Sequence, residues 1–174
     1  MPDKICSGAA GEQNQWSDDG EQASFDVLDY VVSLRQGIVD AWDGVISAMK
    51  AGEQIDQVVP FVLSISHLLQ LIATDMNQSE GLMASSMGLV GDLADAMASS
   101  PDPTAVASSS PEAIEAYQNK LNVLAQFFRQ DWLTNLVKEV RSNRDYSPRT
   151  HDTARWAREQ IKRQLNFLST RVAA

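Results

Sequence analysis

From Phe25 to Leu168 the apolar residues recur in steps of three, four and seven, and no segment alternates convincingly with period two. That spacing lays them along faces of successive helices and leaves no strand for a sheet. Phe25, Leu28, Val32, Val39, Trp42, Ile46 and Met49 mark the first face, with Asp26, Asp29, Ser33, Gln36, Asp40, Asp43 and Ser47 opposite. Ser24 is the expected N-cap, and Lys50 followed by Gly52 closes the helix. Residues 56–74 are apolar on nearly every side, which predicts burial between several neighbours, with Pro60 either opening the helix or kinking it. A third helix, 80–98 with Ser79 as its cap, sets Met83, Met87, Val90, Leu93 and Met97 against the small residues Ala84, Ser85, Gly88 and Gly91.

Ser110-Pro111-Glu112 restarts a helix with a cap, a proline at its first position and an acid in the first turn. This region runs to about Asn143 and is broken near Gln130-Asp131. The last helix opens at Ser147-Pro148 or Thr150, and its stripe is Ala154, Ala157, Ile161, Leu165 and Leu168. Residues 1–23 read as a flexible acidic arm and 99–111 as a Ser/Pro surface loop, leaving 24–174 as the folded unit. The fold class is all-α. Antiparallel helix pairs with one all-round apolar member favour an α-solenoid of stacked hairpins over a closed bundle.

Charge narrows the partners. Residues 1–119 hold 18 acidic and 3 basic side chains, a net −15, whereas 120–174 are +6, so the 174-residue chain is −9. Such a surface repels nucleic acid and anionic membrane and suits a basic protein or peptide. Cys6 is the only cysteine, so neither a disulfide framework nor a cysteine zinc site is expected. The start, MPDKICSGAAGEQNQW, lacks the apolar run of a signal peptide, and the run Val58–Ala73 is read as short of a membrane span. The chain is therefore expected inside the cell.

Catalytic arrangements are scarce. His67 reads as a core or groove residue and His151 as a solvated residue at a helix start. No nucleophile elbow, metal-binding histidine spacing or nucleotide loop occurs; Gly-Leu-Val-Gly has no strand before it and no Lys-Ser after it. No enzyme activity, metal or cofactor is expected. Trp156 carries more information, because it points about 140° away from the main stripe of its helix at 100° per residue. It is either a second packing contact, to the long loop or the preceding helix, or an interface anchor. Trp42, on a core stripe, reads as structural.

The runs SFDVLDYVVSLRQGIVDAWDGVISAMK, VVPFVLSISHLLQLIATD, SEGLMASSMGLVGDLADAM and FFRQDWLTNLVKEVRSNRDYSPRTHDTARWAREQIKRQL resemble, in this order, the carboxy-terminal HEAT repeats of the importin beta (karyopherin beta) family. The resemblance covers about residues 25–171, and GLVGDLADAM and TARWAREQI are its most specific pieces. It implies a superhelix that carries cargo through nuclear pores, working in the cytoplasm, the nucleus and the nuclear envelope. Its acidic inner surface would wrap the basic importin-beta-binding helix of importin alpha, with Trp156 matching a tryptophan that holds that helix. Asp56, Asp75, Glu80 and Glu139, at helix ends and turns, are the candidate contacts to lysine and arginine. Ran and FG-repeat nucleoporins would bind mainly upstream repeats that this chain does not contain. The competing expectation is a solenoid cap or scaffold fragment with no ligand, and an apolar outer side on helix 25–50 or 56–74 where an upstream neighbour is missing.

Overall fold

The computed structural model describes residues 12–98 and 110–172, with side chains for 24–98 and 110–170. Helices α1 (Glu12–Ala51), α2 (Val62–Thr74), α3 (Glu80–Ala98), α4 (Pro111–Phe128), α5 (Asp131–Ser142) and α6 (Pro148–Val172) follow one another, with a 3₁₀ segment, Ile55–Phe61, before α2. Among the described residues there is no strand. Helix α3 packs between α1 and α6, while α2 packs on α4 and α5. The chain thus alternates between two layers, α1–α3–α6 and α2–α4–α5, as an α-solenoid does.

Local chemistry sets most boundaries. Ser79 Oγ accepts the Leu82 N–H at 3.2 Å, Ser110 Oγ that of Ala113 at 3.4 Å, and Ser147 Oγ that of Thr150 at 3.4 Å. Each serine thereby satisfies an otherwise orphaned donor at a helix start. The break expected at Gln130-Asp131 separates α4 from α5. Pro60 neither opens nor kinks an α-helix. It sits inside the 3₁₀ segment, whose tighter turn meets α2 at Val62.

Several expectations are corrected. The first helix begins at Glu12, so Ser24 is interior and residues 12–23 of the expected arm are helical. Glu and Gln are good helix formers and let the helix run back. Residues 1–11 of the arm and 99–109 of the Ser/Pro loop lie outside the described residues. The left-handed residue after α1 is Glu53, at φ 57°, and not Gly52.

The all-round apolar helix is not the sandwiched one. Helix α2 buries only Val62, Ile65, Leu69 and Ile72, leaving Leu63 and Leu71 about half exposed, because α4 and α5 cover just one of its sides. Helix α3 instead buries 11 of its residues between α1 and α6. An 18-residue window within Ile55–Thr74 has mean hydropathy 1.5, a value by length and composition that core helices of folded proteins also reach. On α1, Val39 and Ile46 are fully buried, but Phe25 and Leu28 of the expected core stripe are exposed. Leu34, Ile38 and Val45, which share a different face, form the apolar outer side anticipated for an unpartnered helix.

Candidate functional site

Helix α3 shows solvent a single narrow stripe: Gly81, Ala84, Ser85, Gly88, Asp92 and Asp95, at helical spacing. Small side chains make this stripe the floor of a trough, walled by α1 on one side and α6 on the other. The α1 wall brings Gln36 against Gly81, with Oε1 3.1 Å from where a β-carbon would stand. Further along, Asp43 meets Asp92, and Lys50 is ion-paired with Asp95.

Trp156 forms the α6 wall. Its ring lies directly over Gly91 while 37% of the residue stays exposed. Both alternatives for this tryptophan are thus open in one side chain: Cε3, Cζ3 and Cη2 of its ring are packed, and part of the residue still meets water. The direction inferred from the helical wheel holds, but the packing partner is α3 and not the preceding helix.

Electrostatics concentrate at the α1–α3 seam. Burial, then the hydrogen bond and the charge of Asp43, push the Asp92 carboxyl up to about 6. Asp43 Oδ1 is itself buried without a hydrogen-bond partner. A seam of this kind favours a cation, which relieves repulsion between carboxylates that cannot both ionise cheaply.

The acids expected from sequence lie elsewhere and do not converge. Asp56, in the 3₁₀ segment, is ion-paired with Lys120 of α4, whose side chain is only 5% exposed. Asp75 is ion-paired with Arg35 of α1, and its Oδ1 accepts the Asn77 N–H at 2.8 Å; these bonds, the backbone one first, hold its pKa below the usual range. Glu80 Oε1 accepts Ser147 N–H at 2.8 Å and Thr150 Oγ–H at 2.6 Å. Bonds from Ser147 and Thr150 pull its pKa down to about 2. Glu139 is an exposed residue of α5. Three of the four therefore bind neighbouring elements of the chain together.

The histidines also differ from expectation. His67 is exposed on α2, and His151 is partly buried with Nε2 2.7 Å from the Asn143 carbonyl oxygen. In the sequence Asp92 and Asp95 read as a carboxylate pair of the sort an acidic chain produces by chance, and Asp43 joins them only in the fold. The signal that could have found them is the small-residue stripe itself, which runs straight into Asp92 and Asp95.

Comparisons with known proteins agree with this architecture. The family model described as importin subunit beta-1-like, TPR repeats, matches residues 6–108, more than half of the chain. Importin subunit beta-1 of Schizosaccharomyces pombe is 34% identical over 142 residues, 82% of this chain and 14% of that protein. The crystal structure of importin beta in an ammonium sulfate condition superposes with a TM-score of 0.64 at 47% identity, over 80% of this chain and 14% of that one. A Kap95p structure, in which Kap95p binding induces the switch loops of RanGDP to adopt the GTP-bound conformation, gives 0.59 at 27% identity, covering 79% and 14%. The chain thus spans about one seventh of the length of these relatives. Two layers of stacked hairpins, the matched family model and the solved relatives converge: this chain belongs to the importin subunit beta-1-like family.

Proposed function

We propose that this chain is a protein-binding module of a nuclear import receptor, and that the trough over α3 holds the basic importin-beta-binding helix of importin alpha. The observation that carries this reading is the pairing, across one small-residue floor, of a partly exposed Trp156 with the carboxylates Asp43, Asp92 and Asp95. A floor without bulky side chains lets a helix approach closely, and a tryptophan beside it supplies an apolar anchor. The acids supply the attraction to lysine and arginine. Single exposed ion pairs contribute only about 0–1 kcal/mol, so the anchor and several acids must act together.

Glu80 and Asp75 act here chiefly by holding α1, α3 and α6 in place, while Asp56 and Glu139 add to the negative field. Contacts to Ran and nucleoporins are assigned to repeats outside this chain. A receptor of this kind is a carrier and not an enzyme, and it moves between cytoplasm and nucleus through the pore.

Titration calorimetry of a basic importin-beta-binding peptide across a salt series tests the reading. Trp156→Ala is expected to weaken binding more than Asp75→Ala. Equal affinities for Trp156→Ala and the unaltered chain would remove the anchor role. The internal commitment of Asp56, Asp75 and Glu80 favours a second reading, a solenoid cap with no ligand of its own. Absence of binding even at low salt, where charge attraction is strongest, would select it.

A further inference from the structure

Residues 120–174, net +6, contribute a site of opposite character. Between α5 and α6 lies a cavity of about 380 Å³. Its apolar lining comes from Phe128, Leu133, Val137, Ile161 and Leu165. The first three are nearly fully buried, whereas Ile161 and Leu165 are only partly so and still offer apolar surface to the opening. Around them stand four exposed cations, Lys138 and Arg141 from α5 and Arg158 and Lys162 from α6.

Helical spacing explains the arrangement. Leu133, Val137 and Arg141 follow one another at four-residue steps along α5, as do Arg158 and Lys162, and separately Ile161 and Leu165, along α6. Each helix therefore presents an apolar stripe edged by positive charge to the same seam. No carboxylate among the described residues lines the cavity or pairs with Lys138, Arg141 or Arg158. Lys162 has only Glu159, at 3.9 Å with both side chains more than half exposed, a weak bond that an incoming ligand can replace.

We infer that this seam is a docking groove for an acidic peptide segment carrying large apolar side chains. Charge complementarity selects the acid, since of the four gathered cations only Lys162 has a nearby carboxylate, and that pair is weak. The cavity volume selects the anchor, because it admits one or two bulky side chains and not a folded domain. An anionic bilayer fits worse, since the chain as a whole repels it. Single-stranded nucleic acid fits worse too, as Phe128 is buried and offers no stacking face. The groove uses helix faces and a charge sign different from those of the trough, so either site can fail without the other.

The test is fluorescence anisotropy on the full chain with a labelled peptide that alternates glutamate with leucine and phenylalanine. Saturable binding is expected, weakened by about tenfold or more in the Lys138→Glu, Arg158→Glu double variant. Ile161→Ser is expected to weaken it as well, and a probe with serine in place of its apolar residues is expected to lose most affinity. Both charge reversals lie on exposed side chains. Should circular dichroism nevertheless show lost helix, the Lys138→Gln, Arg158→Gln variant must still weaken binding. The inference is overturned if the rim variants bind the probe unchanged, if the serine probe binds equally well, or if no saturable binding occurs. It is overturned equally if phosphatidylserine vesicles capture the chain while the peptide does not.

Discussion

The indole of Trp156 rests on the α-carbon of Gly91: a β-carbon there would stand 2.1 Å from Cζ3 and 2.6 Å from Cε3. The glycine is required by close approach of a ring, and the ring in turn closes the α3–α6 contact. Gly91→Ala gains helix propensity of about 1 kcal/mol but must displace the indole, for a net loss of about 1–3 kcal/mol. Trp156→Ala removes the covering ring. In the double variant the new methyl occupies freed space, so the two losses should fall short of adding by about 1 kcal/mol or more. Urea unfolding of the four species measures this, and strict additivity would show that the ring does not rest on the glycine.

Asp92 predicts an inverted acid response. Its folded pKa, about 6, lies above the ordinary 3.8, so the folded chain holds a proton that the unfolded chain has released between those values. Its contribution is fully present below pH 3.8 and is lost as pH rises through about 6. Asp92→Asn should therefore stabilise the chain at pH 7, by about 1 kcal/mol after solvent screening, and make little difference at pH 4. Thermal melts at the two pH values check it. Affinity for a basic peptide should fall as pH drops through the same range, because the protonated carboxyl no longer attracts the ligand.

Glu80 behaves in the opposite sense. Its pKa falls from 4.5 to about 2 on folding, so its contribution is present above 4.5 and lost as pH falls through 2. Glu80→Gln should lower stability at pH 7, with the gap from the unaltered chain closing as pH approaches 2. Acid titration followed by circular dichroism tests this. A gap that stays constant with pH would mean that the carboxylate charge is irrelevant to the α3–α6 staple.

Gln164 is fully buried on α6, and neither its Oε1 nor its Nε2 finds a hydrogen-bond partner. An unsatisfied buried amide costs about 1–3 kcal/mol, and methionine has similar length without that demand. Gln164→Met should raise the unfolding free energy by about 1 kcal/mol, measured by urea denaturation. A decrease would indicate that water satisfies the amide.

Serine caps at 79, 110 and 147 and the break at 130–131 were legible because each depends on a few adjacent residues. The side of each helix that finds a neighbour was not. Helix α2 is apolar all round yet lies at the edge of its layer, and α3, rich in glycine and alanine, takes the central place. On α3 the faces pressed by neighbours are Leu, Met and Val, and the small residues Gly81, Ala84, Ser85 and Gly88 lie on the side left to solvent. The acids show the same limit: Asp56, Asp75 and Glu80 are identifiable as end-of-helix carboxylates, but their partners Lys120, Arg35 and Thr150 lie 64, 40 and 70 residues away. Direction was easier than destination. The angle of Trp156 followed from its helix alone, whereas Gly91 became its partner only once α3 and α6 were side by side.

The two edges of the α1–α3–α6 layer are chemically unequal. The exposed side of α6 carries Arg155, Arg158, Lys162 and Arg163, and the unpartnered side of α1 carries Leu34, Ile38 and Val45. A stack with one wettable and one oily edge has a direction. Another hairpin added beside α1 would bury surface that water already disfavours, whereas one added beside α6 would have to strip charges of their hydration. Growth of such a layer is one-way, like a course of bricks with mortar on a single end.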